Sequence, residues 1–201
     1  MIEKKNGVIQ THYGEANIYG SHKYFIFNYK IEGEYITYYK NGQIKEIHNY
    51  KNNKLEGEYK QYYENGKSLS ICNYKNGKAE GEFKSYYENC QLKRIYNYKN
   101  YNLEGEHKEY YKNGHLWELC NYKNNKKEGI YKNYWDNEQL QVICNYKNDK
   151  LEGEYKRYYN NGQIHYICNY KNGKKEGEYK EYLCDGELQM ICNYINGKKD
   201  I

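Results

Sequence analysis

A chain of 201 residues with 31 tyrosines, no proline and only two alanines, Ala16 and Ala79, is biased towards strands and turns. Tyr suits a pleated, half-buried surface, and the plentiful Asn and Gly suit turns. The net charge of +5 comes from 32 basic and 27 acidic residues interspersed along the chain, which argues against the clustered basic patch of a nucleic-acid binder. An aromatic share of 18% argues against disorder.

Residues 1–27 hold no good copy of the pattern that fills the rest, although Tyr24 to Tyr29 resembles part of it. They are expected to form a degenerate capping hairpin that covers an otherwise open strand edge. Met1 to Tyr13 lacks the apolar core of a signal peptide, and no stretch of the chain approaches the roughly 18 to 20 apolar residues of a membrane span. A cytoplasmic protein is therefore expected, with seven cysteines held as reduced thiols.

Residues 28–201 form the array. Its markers are Gly33, Gly57, Gly81, Gly105, Gly129, Gly153 and Gly177, each 24 residues from the next, a period that announces stacked modules. Every unit holds two strand candidates, Glu32 to Tyr39 and Gln43 to Tyr50 in the first. Asn41-Gly42 between them predicts a two-residue type I′ turn; Asn89-Cys90 and Asn137-Glu138 depart from that pair and predict strained or longer turns. A second connection at Asn52-Asn53 and its equivalents links each unit to the next. The predicted fold is all-β, an elongated single-layer antiparallel meander of about seven 24-residue β-hairpin repeats.

With a two-residue turn at Asn41-Gly42, Tyr39 faces Ile44, Tyr35 faces His48 and Gly33 faces Tyr50, all on one ring-rich side. An aromatic lying across a facing glycine would account for both recurring residues. A two-residue turn at Asn52-Asn53 places Tyr50 opposite Leu55 and His48 opposite Gly57. The other side carries the row Ile47, Ile71, Ile95, Leu119, Ile143, Ile167 and Ile191.

Cys72, Cys120, Cys144, Cys168 and Cys192 share one repeat position with His48 and Tyr96. Neighbouring equivalents should lie roughly 10 Å apart, beyond reach of a disulfide, so they are expected to pack as small apolar groups. No Cys-x-x-Cys pair suggests a metal site. The histidines fall at different repeat positions, and the spacing of His165 and Cys168 points them to opposite faces. Glu56 and Glu58 recur in nearly every unit and read as solvated charges beside Lys60. No catalytic, cofactor-binding or metal-binding residues are assigned.

Positions that vary between copies are the candidates for recognition. Thr37 and Glu46 become Ser85 and Arg94, then Arg157 and Tyr166, then Glu181 and Met190 on the ring-rich face. Leu69, Lys93, Trp117, Gln141 and His165 form a second variable row, assigned to the opposite face. Trp117, Trp135, Arg94, Arg157 and Tyr166 are the candidate partner-binding residues, since interface energy concentrates in Trp, Tyr and Arg. Trp135 replaces a Tyr of the ring row and reads partly as scaffold.

The segments Gly57-Glu58-Tyr59-Lys60-Gln61-Tyr62-Tyr63-Glu64-Asn65-Gly66 and Asn73-Tyr74-Lys75-Asn76-Gly77-Lys78 resemble the variant MORN repeat, over about Asn28 to Asn196. The resemblance implies β-hairpin repeats in an elongated sheet. Such arrays include bacterial antitoxins and many repeat proteins of bacteria and large DNA viruses, and related eukaryotic arrays act as scaffolds or associate with membranes. The expected function is a non-enzymatic scaffold for protein–protein interaction without cofactors, with an unidentified protein as partner. An antitoxin or immunity protein that binds a toxin is the alternative, and weak binding to a lipid surface a further one. No specific nucleic-acid partner is expected.

Overall fold

The computed structural model describes residues 9–10 and 30–200. The expected capping hairpin over 1–27 lies outside them, apart from Ile9–Gln10, which pairs antiparallel with Lys30–Ile31. The chain divides into two compact units, Met1–Cys90 and Gln91–Ile201, and all strand pairing within each is antiparallel. No helix occurs among the described residues, so none is long and apolar enough to cross a membrane.

One module recurs in both units. A six-residue strand starts at the marker glycine, as in Gly57–Tyr62 and Gly153–Tyr158. An eight-residue strand follows, as in Ser68–Lys75 and Ile164–Lys171, and then a two-residue strand, as in Lys78–Ala79 and Lys174–Lys175. In both units Gly33 faces Tyr50 and Gly153 faces Tyr170, with Tyr35 facing His48 and Tyr155 facing Cys168, as the register predicts.

The first turn of each unit departs from the expected type, while the second is the expected two-residue turn. Asn41 is not in the left-handed region; only Gly42 is, at φ 85°. Gly42 N donates to Tyr39 O at 3.0 Å and Tyr39 N to Gln43 O at 2.8 Å, so the loop has three residues and closes on a glycine bulge. Tyr38, not Tyr39, therefore faces Ile44. Asn137-Glu138 forms a loop of the same length, with Trp135 N donating to Gln139 O and Glu138 N to Trp135 O, and at Asn89-Cys90 the Cys90 N likewise donates to Tyr87 O. Their strain resides in Cys90 and Glu138, at φ 69° and 66°, where an L side chain crowds its own backbone. The type I′ turn lies at the second connection, where Asn52 and Asn53 have φ 51° and 64° and Asn100-Tyr101 has 49° and 73°.

Tyr50 faces Leu55 as expected. Beyond it the register advances by two, with Ile47 facing Lys60 and Glu46 facing Gln61, so His48 does not face Gly57. That slip passes through Gly57 at φ 82°, and a Cβ built there would meet nothing within 4 Å. The marker glycine is thus required by its left-handed backbone, not by a ring lying across it.

A thin sheet needs ties between modules, and three repeat along the chain. The Tyr39 hydroxyl donates to Tyr62 O at 2.7 Å, Tyr63 to Tyr86 O at 2.7 Å, Tyr111 to Tyr134 O at 2.8 Å and Tyr159 to Tyr182 O at 2.9 Å. Each type I′ turn also bonds to the short strand of the preceding module, as when Gly77 N donates to Leu55 O at 2.8 Å and Gly173 N to Leu151 O at 2.9 Å. Glu56 accepts from Asn76 N at 2.7 Å and Glu152 from Asn172 N at 2.8 Å. This corrects the reading of Glu56 as a solvated charge: it caps a turn, whereas Glu58 pairs with Lys60 at 2.7 Å.

Burial is one-sided. Among the described residues, Cys72, Cys120, Cys144, Cys168 and Tyr179 are the buried hydrophobic ones, joined by buried His48, Ser70, His107 and Asn133. All belong to the ring-rich face by register. The other face alternates Ile or Leu with Lys, as in Lys156 facing Ile167 and Ile167 facing Lys180, and the lysine stems flank the apolar row.

Candidate functional site

Two parallel rows run along the ring-rich face. The first pairs an aromatic with a small residue: Tyr59 faces Cys72, Tyr131 faces Cys144, Tyr155 faces Cys168 and Tyr179 faces Cys192. His48 takes a cysteine place and lies between two tyrosine rings, 4.9 Å from Tyr35 and 5.1 Å from Tyr59. Burial pushes the Cys120 and Cys144 thiols up to about 12, the opposite of an activated nucleophile. The seven cysteines are free, with Cys90 and Cys184 exposed.

The second row holds the varying residues, and the slipped register makes it continuous. In Gln91–Ile201 each member faces the next: Arg94 and Glu109, Glu109 and Glu118, Glu118 and Asn133, then Asn133 and Val142. The line continues through Val142 and Arg157, Arg157 and Tyr166, Tyr166 and Glu181, and Glu181 and Met190. In Met1–Cys90 the shorter row joins Thr37, Glu46, Gln61, Ser70 and Ser85.

Arg94, Arg157 and Tyr166 therefore share one row. Arg94 Nε lies 3.0 Å from Glu109. Tyr166 stacks between Tyr155 and Tyr179, at 5.5 Å from each, and the Lys175 ammonium sits 5.6 Å from its ring. Arg157, half-buried, stands between Val142 and Tyr166.

The two tryptophans lie outside that row. Trp135 takes the place of the tying tyrosines, and its indole nitrogen is buried without a partner. Trp117 is skipped by the ladder, since Glu109 faces Glu118 and Tyr110 faces Leu116. It is the extra residue of a bulge, 38% exposed, with its ring 6.2 Å from Tyr111 and its carbonyl accepting from Asn133 Nδ2 at 3.0 Å. Leu69, Gln141 and His165 of the second variable row are bulge residues like Trp117, and a bulge re-aims its side chain. The row's assignment to the opposite face is corrected at His165, whose Nε2 lies 3.4 Å from Glu181, a member of the ring-rich row. Simple alternation, which also set His165 against Cys168, fails across the bulge.

One cluster in Gln91–Ile201 goes unread in the sequence. His107 occupies an aromatic place and directly faces Cys120, with Nδ1 3.9 Å from Sγ. Glu118 lies 3.6 Å from the same sulfur and 3.1 Å from Lys127 Nζ, and it accepts from the Tyr131 hydroxyl at 2.8 Å. Glu109 lies 3.4 Å from His107 Nε2. Burial pushes the Glu109 carboxyl up, but the neighbouring His107 ring and Arg94 guanidinium outweigh that and hold it below its ordinary value. The register that sets Tyr35 against His48 already sets His107 against Cys120; the signal was the cross-strand pair, not spacing along one strand.

The backbone pattern also appears in comparison with known families. The MORN repeat variant model matches seven consecutive segments, 31–52, 55–76, 79–100, 103–124, 127–148, 151–172 and 175–196. The chain belongs to the MORN repeat variant family. The marker glycine falls inside every MORN match, and each match ends on the first residue of a type I′ pair, such as Asn52 or Asn172. MORN repeats are in general repeats for interaction with proteins or membranes. No curated protein matches the chain.

Proposed function

We propose that this MORN array is a non-enzymatic scaffold that docks a protein partner along the variable row from Arg94 to Met190. The observation that carries the reading is the continuity of that row. Nine side chains of differing chemistry face one another in sequence, while the tyrosine ties and glycine slips beneath them repeat. Arg157 and Tyr166 supply residue types in which interface energy concentrates, and Trp117 adds an exposed ring at the bulge.

Affinity capture from the source cell with wild-type chain, the Arg157→Ala/Tyr166→Ala variant and an opposite-face control, Glu154→Ala/Lys156→Ala, tests the reading. One stoichiometric protein should be retained by wild type and control and reduced at least about tenfold by the row variant. Equal retention by all three overturns it. Trp117→Ala should weaken the same complex without unfolding the chain. If the partner is a toxin that this chain silences, the scaffold is specialised as an antitoxin.

A second reading, docking to an anionic lipid surface, has its own support. Lys51 faces Lys54, Lys75 faces Lys78, Lys147 faces Lys150 and Lys171 faces Lys174 beside the type I′ turns. Like charges directly opposite destabilise a sheet, and an anionic surface would relieve them. Flotation with phosphatidylserine vesicles at physiological salt decides this reading, and absence of co-migration rejects it.

A further inference from the structure

The cluster around Cys120 has the layout of a metal centre. Among the described residues, His107, Glu118 and Cys120 are the three that could hold a metal ion, their ligand atoms all within 4.8 Å of one another. Ligands at about 2.0 to 2.3 Å from a tetrahedral zinc-like ion stand roughly 3.5 Å apart, so the 3.9 Å between Nδ1 and Sγ and the 3.6 Å between Sγ and Glu118 need a closure of only a few tenths of an ångström. We propose that His107 Nδ1, Glu118 Oε1 and Cys120 Sγ form a binding site for a borderline-soft divalent cation of the zinc type.

The surroundings complete the layout. A metal-bound histidine typically directs its other ring nitrogen at a carboxylate, and a ligating carboxylate is itself hydrogen-bonded. His107 Nε2, which is buried without a hydrogen bond, lies 3.4 Å from Glu109, itself held by Arg94 at 3.0 Å, and the Tyr131 hydroxyl holds the second oxygen of Glu118. Nitrogen, sulfur and oxygen donors together select zinc-like ions over magnesium or calcium. Cys120 is 1% exposed and His107 8%, so the sulfur and imidazole donors are held in place by packing, with half-buried Glu118 beside them. Three protein ligands is also the number found where zinc keeps one exchangeable position.

Lys127 opposes the ion. Its ammonium lies 3.1 Å from Glu118 Oε1 and 4.5 Å from the centre of the Tyr131 ring, where a lysine can rest on the aromatic face after giving up the carboxylate. Loading thus exchanges an internal cation for an external one. No other copy has the set: the next repeat places Tyr131, Val142 and Cys144 at the same positions, which makes Cys144 an internal control.

The test uses the full chain carrying Cys90→Ser/Cys184→Ser, which removes the two exposed thiols, titrated anaerobically with cobalt(II) and then zinc(II). A thiolate-to-cobalt charge-transfer band should saturate at one equivalent and vanish when zinc is added. Cys120→Ser should abolish the band and Cys144→Ser should leave it. Glu109→Gln should weaken binding about tenfold or more, and Lys127→Met, which leaves every ligand in place, should tighten it. No band at any cobalt concentration overturns the proposal, as does equal loss in Cys144→Ser or weaker binding in Lys127→Met. Circular dichroism of each variant separates loss of the site from loss of the fold, and Lys127→Met keeps the proposal open to refutation if Cys120→Ser does not fold.

Discussion

In residues 103–124 the ring-rich face presents His107, Glu118 and Cys120; in 127–148 the same register presents Tyr131, Val142 and Cys144. The backbones beneath them are alike. Gly105 and Gly129 have φ 83° and 86°, and each second connection is a left-handed pair, Asn124-Asn125 and Asn148-Asp149. Glycine slips, Asn turns and bulges fix strand pairing without the face residues, so the face is free to change its chemistry from copy to copy.

Alkaline pH is the broadest way to challenge the comparison, because both copies bury a thiol. Cys120 and Cys144 rise from an ordinary 9.0 to about 12 through burial. A raised value favours the neutral thiol, so their stabilisation is complete below pH about 9 and lost as pH climbs towards 12. Stability should fall by on the order of a few kcal/mol across that window. Cys120→Ala and Cys144→Ala should each flatten a urea-unfolding pH profile; an unchanged slope in both contradicts a buried-thiol core.

Replacing the backbone signal comes next. Gly105→Val puts a branched side chain at φ 83°, where space is open but the conformation is strained, and should cost about 2 to 3 kcal/mol. A loss below about 0.5 kcal/mol would show that the slip does not need glycine.

The ties between modules are individually smaller. Tyr111→Phe removes the bond to Tyr134 O and should cost about 1 kcal/mol. Trp135→Tyr should recover a similar amount by supplying a hydroxyl where the indole nitrogen has no partner; destabilisation would mean that ring packing outweighs the hydrogen bond. The smallest shift is expected for Glu138→Gly, which relieves a non-glycine residue at φ 66° and should add about 0.5 to 1 kcal/mol. A drop in thermal midpoint would contradict it.

Most of the scaffold was legible in the sequence, because a 24-residue period repeats its errors and its signals alike. Tyr35 against His48 and Tyr50 against Leu55 followed from counting across turns. The type of the first turn did not. Asn-Gly serves equally in a two-residue I′ turn and in a three-residue loop closing on a glycine bulge, and only the hydrogen bonds around Tyr39 and Gln43 distinguish them. The slip at Gly57 was hidden because it moves the register by two and preserves which face is inward.

The same local irregularities set the limit for the candidate residues. Arg94, Arg157 and Tyr166 were correctly grouped because alternation holds along the paired part of their strands. Alternation sets His165 on the wrong face because it fails at an unpaired bulge residue, the position Trp117 also occupies. His107 was missed for a third reason: its partners Cys120 and Glu118 are 13 and 11 residues away in the chain, and only the strand pairing brings them together.

The central claim, that turns and slips specify the array while the face is exchangeable, is tested most directly by converting one repeat face into its neighbour's. The variant His107→Tyr/Glu118→Val/Lys127→Leu gives residues 103–124 the Tyr, Val and Cys of the next copy and removes the lysine that Glu118 holds. Its thermal unfolding midpoint, followed by circular dichroism, should stay within about 4 °C of wild type, roughly 1 kcal/mol for a chain of this size. Loss of the cooperative transition, or a fall of more than about 10 °C, would show that the face chemistry of this repeat is part of what folds it.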